Sequence, residues 1–274
     1  MTINCLGALI DLSTPKVMGI LNQTPDSFYD GGRYSDATAM LRQVEQMLDQ
    51  GASFIDVGGY SSRPGAAEVP LDEELKRVIP TIEALHKTFP QALISIDTFR
   101  STVAQKAIEA GAALINDISA GDQDPEIYNI AAQNQVPYIL MHMRGTPQTM
   151  TQQTNYDNVV MEVAQDLSKK IKHIRTLGVN DLIVDPGFGF AKTLEQNYAL
   201  LDKLDHLKLL KTPILVGLSR KSMIYKLLET DPEEALNGTT AGHTIALLKG
   251  ANILRVHDVA PAMEVVRIVR ALKN

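Results

Sequence analysis

Polar and charged side chains follow the apolar, β-branched runs of this chain, at the points where the runs end. One group consists of hydrogen-bond acceptors: Asp97, Asn116 and Asp185. A second group consists of cations: Arg63, Lys221, Arg255 and His257. The acceptors suit the edge of a heterocycle that carries N–H donors, whereas the cations suit a phosphate or diphosphate. These residue types therefore predict a binding pocket with two chemical characters.

Several of these residues also have a purely structural interpretation. An aspartate that follows a strand, such as Asp97, can form an Asx turn or cap the next helix. Only one of the neighbours Asn116 and Asp117 can point to the interior, since strand side chains alternate. His142 can be a hydrogen-bonded rim residue, and Lys221 can be a solvated residue at a helix start. The sequence leaves these alternatives open.

A metal site made only of protein side chains is not indicated. The six histidines show no His-x-His or His-x-x-x-His spacing, and Cys5 is the only cysteine. A hard cation such as Mg²⁺ that arrives on a substrate phosphate needs only one or two protein oxygens, and Asn22 can supply one. Covalent catalysis is also unsupported, because there is no G-x-S-x-G elbow. The GFGF segment at 187–190 lacks the third glycine of a dinucleotide fingerprint.

Eight short apolar runs predict eight strands. Their near-continuous apolarity is typical of parallel strands that are buried on both faces. They occupy residues 17–21, 54–58, 93–97, 114–118, 138–142, 182–186, 214–218 and 253–257.

Segments with helical periodicity lie between these runs. Predicted start signals are Ser35, Ser101, the Asp124–Pro125 pair and the capping-box spacing Thr193 to Gln196. Predicted stop signals are Gly51, Gly111 and Gly178. Further helices are predicted over 157–177, 236–249 and 261–273.

The alternation of strands and helices predicts one (β/α)8 barrel over residues 1–274, with the active site at the carboxyl ends of its strands. The alternative is a doubly wound protein of two domains. That alternative requires a domain boundary, and no long linker or change in composition marks one.

Charge and cysteine content restrict the partners and the compartment. The formal net charge is −6, which argues against a nucleic-acid surface. A single cysteine permits no intrachain disulfide and favours a reducing compartment. The amino terminus lacks the features of a signal peptide, and no apolar run approaches the length of a membrane span. We therefore expect a cytoplasmic protein without a membrane segment.

Two segments, MGILNQTPDSFYDGG (18–32) and DVGGYSSRPGA (56–66), closely resemble signature segments of the dihydropteroate synthase family. The resemblance continues in order through 95–121, 185–197, 217–224 and 238–259. It implies a (β/α)8 barrel that joins 6-hydroxymethyl-7,8-dihydropterin diphosphate to 4-aminobenzoate, with Mg²⁺ assisting. It also implies a homodimer, formed through the last helices.

The resemblance assigns roles residue by residue. The positions that match the pterin-binding set are Asp97, Asn116, Asp185 and Lys221. The positions that match the diphosphate-binding group are Arg63, Arg255 and His257, and Asn22 matches the Mg²⁺-associated residue. Around the aminobenzoate, the matching positions are Phe28, Pro64, Phe190 and Ser219. Ser62 stands where the family commonly has threonine, so the hydroxyl is retained and a methyl group is lost.

The implied reaction needs no strong general base, because the arylamine lone pair is already free at neutral pH. Cations and Mg²⁺ stabilise the leaving diphosphate, and acceptors stabilise positive charge on the pterin, so an SN1-like path is expected. The residues expected to act by binding the transition state are Lys221, Arg63, Arg255, His257 and Asp97.

Two alternatives to this function remain. A folate-dependent methyltransferase of the related barrel family would share the pterin-edge residues but would not need a diphosphate site. A non-catalytic pterin-binding protein would not need the first loop, residues 21–36. We predict that this loop is a mobile lid in which Phe28 forms a wall of the aminobenzoate site.

Overall fold

The computed structural model describes residues 1–23, 33–60 and 68–272, with side chains of the first helix from residue 37 onward. An antiparallel hairpin, β1 (Thr2–Cys5) and β2 (Ala8–Asp11), comes first. Eight parallel strands follow: β3 (Lys16–Asn22), β4 (Phe54–Gly58), β5 (Leu93–Asp97), β6 (Leu114–Asp117), β7 (Tyr138–Met141), β8 (Leu182–Asp185), β9 (Leu215–Val216) and β10 (Ile253–Val256).

The eight strands form one sheet in the order β8-β7-β6-β5-β4-β3-β10-β9. A parallel bridge between Val184 and Ile214 joins the two edges of this sheet and closes the barrel. The closing strand β9 has two residues rather than the five predicted, because the chain turns away after Val216 and reaches a left-handed conformation at Arg220. The predicted (β/α)8 barrel is confirmed.

Nine helices surround the described part of the barrel. They are α1 (Arg33–Asp49), α2 (Leu71–Thr88), α3 (Ser101–Glu109), α4 (Ile127–Asn134), α5 (Val159–Thr176), α6 (Leu194–Asp202), α7 (Ser222–Tyr225), α8 (Leu236–Lys249) and α9 (Val259–Ala271), with two 3₁₀ segments, Met150–Gln152 and Leu204–Leu210. None of the helices in the described ranges is long and apolar enough to cross a membrane.

The helix-start predictions had mixed outcomes. The capping box is confirmed, because Thr193 Oγ1 accepts from the Gln196 backbone N–H at 3.3 Å and the Gln196 side chain accepts from Thr193 N–H at 2.8 Å. The prediction of Ser35 as a cap is wrong, since α1 already begins at Arg33. Asp124 is not the cap of α4, which begins at Ile127; its carboxylate instead accepts the backbone N–H of Ser101 at 2.7 Å, at the start of α3.

Helix α9 begins two residues earlier than predicted, at Val259. Pro261 therefore lies in its first turn, where a missing backbone N–H costs no intrahelical hydrogen bond.

The amino-terminal end of the barrel is closed by the hairpin, which the sequence did not predict. Ile3, Cys5 and Leu12 are buried against the lowest inward-facing side chains of the strands, among them Met18 and Phe54. Burial raises the pKa of the Cys5 thiol to about 12, so this cysteine is an inert core residue. Because this end is filled, the polar inward-facing residues lie toward the opposite, carboxyl end of the strands.

Candidate active site

Strand alternation explains why polar residues meet inside the barrel. Phe54 and Ile253 face the lower interior, so Asp56 and Arg255, two residues further along the same strands, face it one level higher. In neighbouring strands, Asp97 pairs in register with Asn116. The upper interior therefore carries charge above an apolar plug.

Four of these side chains form a connected network that we call the polar floor: Asp56, Asp97, Asn116 and Arg255. Arg255 Nε donates to Asp56 Oδ2 at 2.6 Å, and Arg255 Nη2 donates to Asp97 Oδ2 at 2.6 Å. Asn116 Nδ2 also donates to Asp56 Oδ2, at 3.0 Å. Two of the predicted acceptors, Asp97 and Asn116, and one of the predicted cations, Arg255, thus belong to one network.

The polar floor is electrostatically coupled. Burial raises the pKa of Asp97, and the adjacent Arg255 opposes this effect. Burial also acts against the charge of Arg255, but Asp56 and Asp97 outweigh it and hold its pKa above the usual value. Two carboxylates therefore share one permanently charged guanidinium.

Sequence reasoning missed Asp56, which is fully buried. The available signal was a charged residue in the middle of the run FIDVG, at a position that faces the same way as the strand end.

The open choice between Asn116 and Asp117 is settled by their partners. Asn116 belongs to the polar floor, whereas Asp117 points outward and accepts from the Tyr138 hydroxyl at 2.6 Å and from the backbone N–H groups of Ser119 and Gly121. Asp117 therefore organises the loop between β6 and α4.

A second pair, Asp185 and Lys221, borders the polar floor. A Cβ atom added at Gly217 would lie 3.8 Å from Asp185 Oδ2 and 3.9 Å from the Arg255 side chain, so these two residues meet at Gly217. Lys221 Nζ donates to the Phe188 carbonyl at 2.6 Å and lies 4.5 Å from the centre of the Phe190 ring. Lys221 is therefore held in the site and is not a freely solvated helix-start residue.

Burial dominates the charge state of this pair as well. It lowers the pKa of Lys221 to about 8, against the opposing effect of Asp185. It raises the pKa of Asp185, and Lys221 opposes that shift. The pKa of Lys221 thus lies close to physiological pH.

Ser219 and His257 form the outer edge of the site. His257 Nδ1 lies 3.1 Å from Ser219 Oγ, and the His257 backbone N–H donates to the same oxygen at 3.2 Å. Burial, and after it the charge of Arg255, lowers the pKa of His257 below its ordinary value. In this structure the imidazole of His257 is a hydrogen-bonding partner of Ser219, and its role at the diphosphate stays a prediction.

His142, predicted as a rim residue or a functional one, directly follows β7 and is buried. Burial, and then the charge of Lys192, lowers the pKa of its imidazole to about 2. Its Nδ1 lies 3.1 Å from Lys192 Nζ. Sequence reasoning did not single out Lys192, because a lysine in a loop is usually solvated.

Four of the predicted site residues lie outside the described residues: Phe28, Ser62, Arg63 and Pro64. The loop predicted over 21–36, with its lid role, lies mostly outside the described residues; on its two sides, β3 continues to Asn22 and α1 begins at Arg33. Asn22 is exposed at the carboxyl end of β3. Within the described ranges, no cluster of three or more His, Cys, Asp or Glu side chains could hold a metal ion.

In (β/α)8 barrels the active site lies at the carboxyl ends of the strands. Here this end carries buried hydrogen-bond acceptors and a lysine, which is typical of enzymes that bind a polar heterocycle. Residues 18–257 match the family of pterin binding enzymes. The chain is 45% identical over 267 residues to dihydropteroate synthase of Escherichia coli K12, covering 97% of this chain and 94% of that protein. It is 48% identical over 259 residues to the Synechocystis dihydropteroate synthase, covering 93% and 89% of the two chains.

Solved structures agree with these relatives. The Yersinia pestis dihydropteroate synthase in a sulfonamide drug complex superposes with a TM-score of 0.93 at 43% identity, covering 100% of this chain and 99% of that chain. The Xanthomonas albilineans enzyme with 4-aminobenzoic acid gives a TM-score of 0.92 at 40% identity, covering 99% and 98%. The chain therefore belongs to the dihydropteroate synthases, transferases of folate biosynthesis, as its sequence motifs predicted.

Proposed function

We propose that this protein joins 6-hydroxymethyl-7,8-dihydropterin diphosphate to 4-aminobenzoate and releases 7,8-dihydropteroate and diphosphate. The observation that carries the proposal is the convergence of Asp97, Asn116 and Asp185 with Lys221 and Arg255 at the mouth of the barrel. The Xanthomonas albilineans relative has been solved with 4-aminobenzoic acid and with 7,8-dihydropteroate, which supports the same substrates here.

The pterin would bind over the polar floor. Because Asp56 accepts the Nδ2 hydrogen of Asn116, the amide is held with Oδ1 available to a ligand donor. Asp97 and Asp185 supply carboxylate oxygens, while Lys221 supplies a donor on the same side. This set complements a heterocycle that presents several N–H groups and at least one acceptor.

The chain's residues would promote departure of the diphosphate and not activate the arylamine. As the C–O bond to the diphosphate breaks, positive charge develops on the pterin methylene and ring, and the carboxylates of Asp97 and Asp185 stabilise it. Lys221, Arg255 and Arg63 would stabilise the negative charge on the leaving group, with His257 as a hydrogen-bond donor. The 4-aminobenzoate nitrogen then forms the new C–N bond and loses a proton to solvent.

The aminobenzoate would lie beside Ser219 and Phe190, both of which are buried at the edge of the site. Phe28, Ser62 and Pro64 complete this half of the site in our proposal, on the strength of the sequence motifs. The position of Phe190 over Lys221 places the aromatic wall next to the residue that we assign to the pterin.

Mg²⁺ is the cofactor that we propose, with Asn22 as its protein ligand. The exposed amide of Asn22 at the end of β3 fits an ion that prefers oxygen and usually retains several waters and substrate phosphate oxygens. When bound, Mg²⁺ would neutralise charge on the diphosphate.

We also propose that the chain acts as one domain and as a cytoplasmic homodimer, without nucleic-acid or membrane partners. Exposed apolar side chains on the two last helices support the dimer: Ile245 and Leu248 of α8 and Ile268 of α9 are 42%, 50% and 62% exposed. A net charge of −6 is unfavourable for nucleic-acid binding.

The proposed function is tested with purified protein, the pterin diphosphate, 4-aminobenzoate and Mg²⁺, with dihydropteroate separated by chromatography. Omission of each component in turn is the control. We expect product only in the complete mixture. Absence of product in the complete mixture, from protein that is folded and binds pterin, would reject the synthase and favour a pterin-binding or methyl-transfer function.

A further inference from the structure

The ammonium group of Lys192 is buried in the loop that follows β8. The residue is 9% exposed, and its Nζ has three hydrogen-bonding neighbours: His142 Nδ1 at 3.1 Å, the Gly187 carbonyl at 2.9 Å and the Phe190 carbonyl at 3.0 Å. Three acceptors satisfy the three N–H donors of an ammonium group. No carboxylate is within ion-pair distance of Lys192 among the described residues.

Such a lysine is costly, because a buried ammonium loses its hydration and here gains no direct ionic partner. Burial lowers the pKa of Lys192 to about 7, with Asp185 opposing the shift. His142 is neutral, so its Nδ1 can accept when Nε2 carries the proton. A methionine of similar size would fill this space without the desolvation cost. The structural contribution of Lys192 therefore lies in its hydrogen bonds to His142 and to the carbonyl groups of Gly187 and Phe190.

Those groups belong to residues 187–190, which we call the GFGF turn. Gly187 and Gly189 have positive φ angles of 69° and 81°. A Cβ atom at Gly187 would lie 2.0 Å from the His142 carbonyl oxygen, so the turn is packed directly against residue 142. The Gly187 carbonyl accepts the Phe190 backbone N–H at 3.1 Å within the turn, and side chains donate to this carbonyl and to those of Phe188 and Phe190.

Two lysines supply these donors from different directions. Lys192 binds the carbonyl groups at both ends of the GFGF turn, and Lys221 binds the carbonyl of Phe188 between them. The Asn197 side chain fixes the turn from outside by accepting the Gly189 backbone N–H at 2.7 Å. In this arrangement the Phe190 ring faces the Lys221 ammonium.

We propose that Lys192 is a positioning residue for the aminobenzoate half of the site: it clamps the GFGF turn so that Phe190 stands over Lys221 as a wall of the pocket. The identity of the ligand at this wall rests on the proposed function. Part of the pterin half, Asp97, Asn116 and Arg255, is held by the polar floor and not by the GFGF turn. Asp185 and Lys221 do contact the turn, because Asp185 Oδ1 accepts the Gly187 backbone N–H at 2.7 Å and Lys221 donates to the Phe188 carbonyl.

The test is Lys192→Met, with Lys169→Met on the exposed side of α5 as the matched control. We expect the KM for 4-aminobenzoate to rise about tenfold, because a displaced Phe190 ring no longer covers the aminobenzoate ring. We expect the KM for the pterin diphosphate to rise clearly less, because Asp97, Asn116 and Arg255 stay in place when the turn is displaced. A fall in kcat with both KM values unchanged would mean a loss of folded enzyme only and would overturn the proposal, as would an equal rise in both KM values.

A second measurement does not depend on the reaction. The chain contains no tryptophan, so Phe190→Trp introduces a single fluorescent reporter at the wall. Adding Lys192→Met to this variant should shift the emission to longer wavelength, because the ring loses its buried position. Lys192→Gln, which keeps two N–H donors, should give a smaller shift and serves if the Met variant does not fold.

If neither Lys192→Met nor Lys192→Gln moves the emission maximum of the Phe190→Trp variant, the proposal that Lys192 clamps the GFGF turn is overturned, whatever the synthase activity of these variants. If instead the emission shifts as expected but the wild-type protein forms no dihydropteroate, the clamp stands and the proposed function fails.

Discussion

The most informative residue in the site is Asp56, whose Oδ2 accepts hydrogen bonds from both Arg255 and Asn116. Sequence patterns predicted that Asp97, Asn116, Asp185, Lys221 and Arg255 would share one end of a barrel, because polar residues at strand ends are conspicuous. They did not predict Asp56, because its position within a strand resembles that of a core residue. Charge compensation between side chains from different strands is visible only in three dimensions.

Removal of the guanidinium should destabilise the fold. Arg255→Met leaves Asp56 and Asp97 buried without a cation, and we expect a loss of about 3–5 kcal/mol in the free energy of unfolding, measured with urea. Adding Asp56→Asn and Asp97→Asn to Arg255→Met should restore much of the loss. Equal stability of Arg255→Met and wild type would show that the carboxylates are not ionised in the fold.

Protonation of Lys221 should limit activity at alkaline pH. Burial lowers its pKa to about 8, so kcat/KM for the pterin diphosphate should fall as pH rises through 8, when the ammonium loses the proton that it donates. In Lys221→Arg the guanidinium stays charged, so this decline should be absent below about pH 10 although the overall rate is lower. The same decline in the Arg variant would assign it to another group.

Among the elements, near-continuous apolar runs predicted the eight barrel strands, helix starts were predicted with mixed success, and irregular segments were predicted poorly. Strands β4 and β5 and helix α8 have the predicted bounds. The hairpin β1–β2 was missed because four-residue strands carry little periodic signal, and its role as a plug depends on contacts with Met18 and Phe54. The sequence placed the GFGF turn within a family motif and Phe190 beside the aminobenzoate, but it did not predict the lysines that bind the carbonyl groups of the turn.

The GFGF turn should tolerate no Cβ atom at its first glycine. Gly187→Ala combines a positive φ with a clash against the His142 carbonyl, and we expect a cost in unfolding free energy that exceeds the control by about 1–3 kcal/mol. The control is Gly178→Ala after α5, which has φ of 95° but only one contact, at 3.8 Å. Similar chemical denaturation midpoints for the two variants would contradict the tight packing of the turn.

For the whole molecule, barrel closure concentrates the chemistry at one end and leaves the outer helices for association. The alternation of predicted strands and helices along the sequence was sufficient to predict the barrel, because each strand–helix unit is regular. It could not predict which outer face is free, because an apolar residue on an outer helix can be either buried or exposed. Ile268, Ile245 and Leu248 became candidates for an interface only through their exposure.

The proposed dimer should be broken by charge on this face. Ile268→Glu with Leu248→Glu should convert a dimer to a monomer in size-exclusion chromatography with light scattering, because a buried unpaired carboxylate is unfavourable. Met161→Glu on α5, a similarly exposed apolar site, is the control and should remain dimeric. A wild-type protein that is monomeric at high micromolar concentration would contradict the proposal.

Whether the cluster around Asp185 and Lys221 is the active site is tested by measuring both products formed by wild type, Asp185→Asn, Lys221→Met and the control Lys169→Met. We predict that wild type and the control form dihydropteroate and diphosphate in equal amounts. The two site variants should be folded by circular dichroism and lose at least about 100-fold in kcat/KM, as removal of a transition-state contact requires. Site variants that form both products at the wild-type rate would contradict the claim that this cluster is the active site.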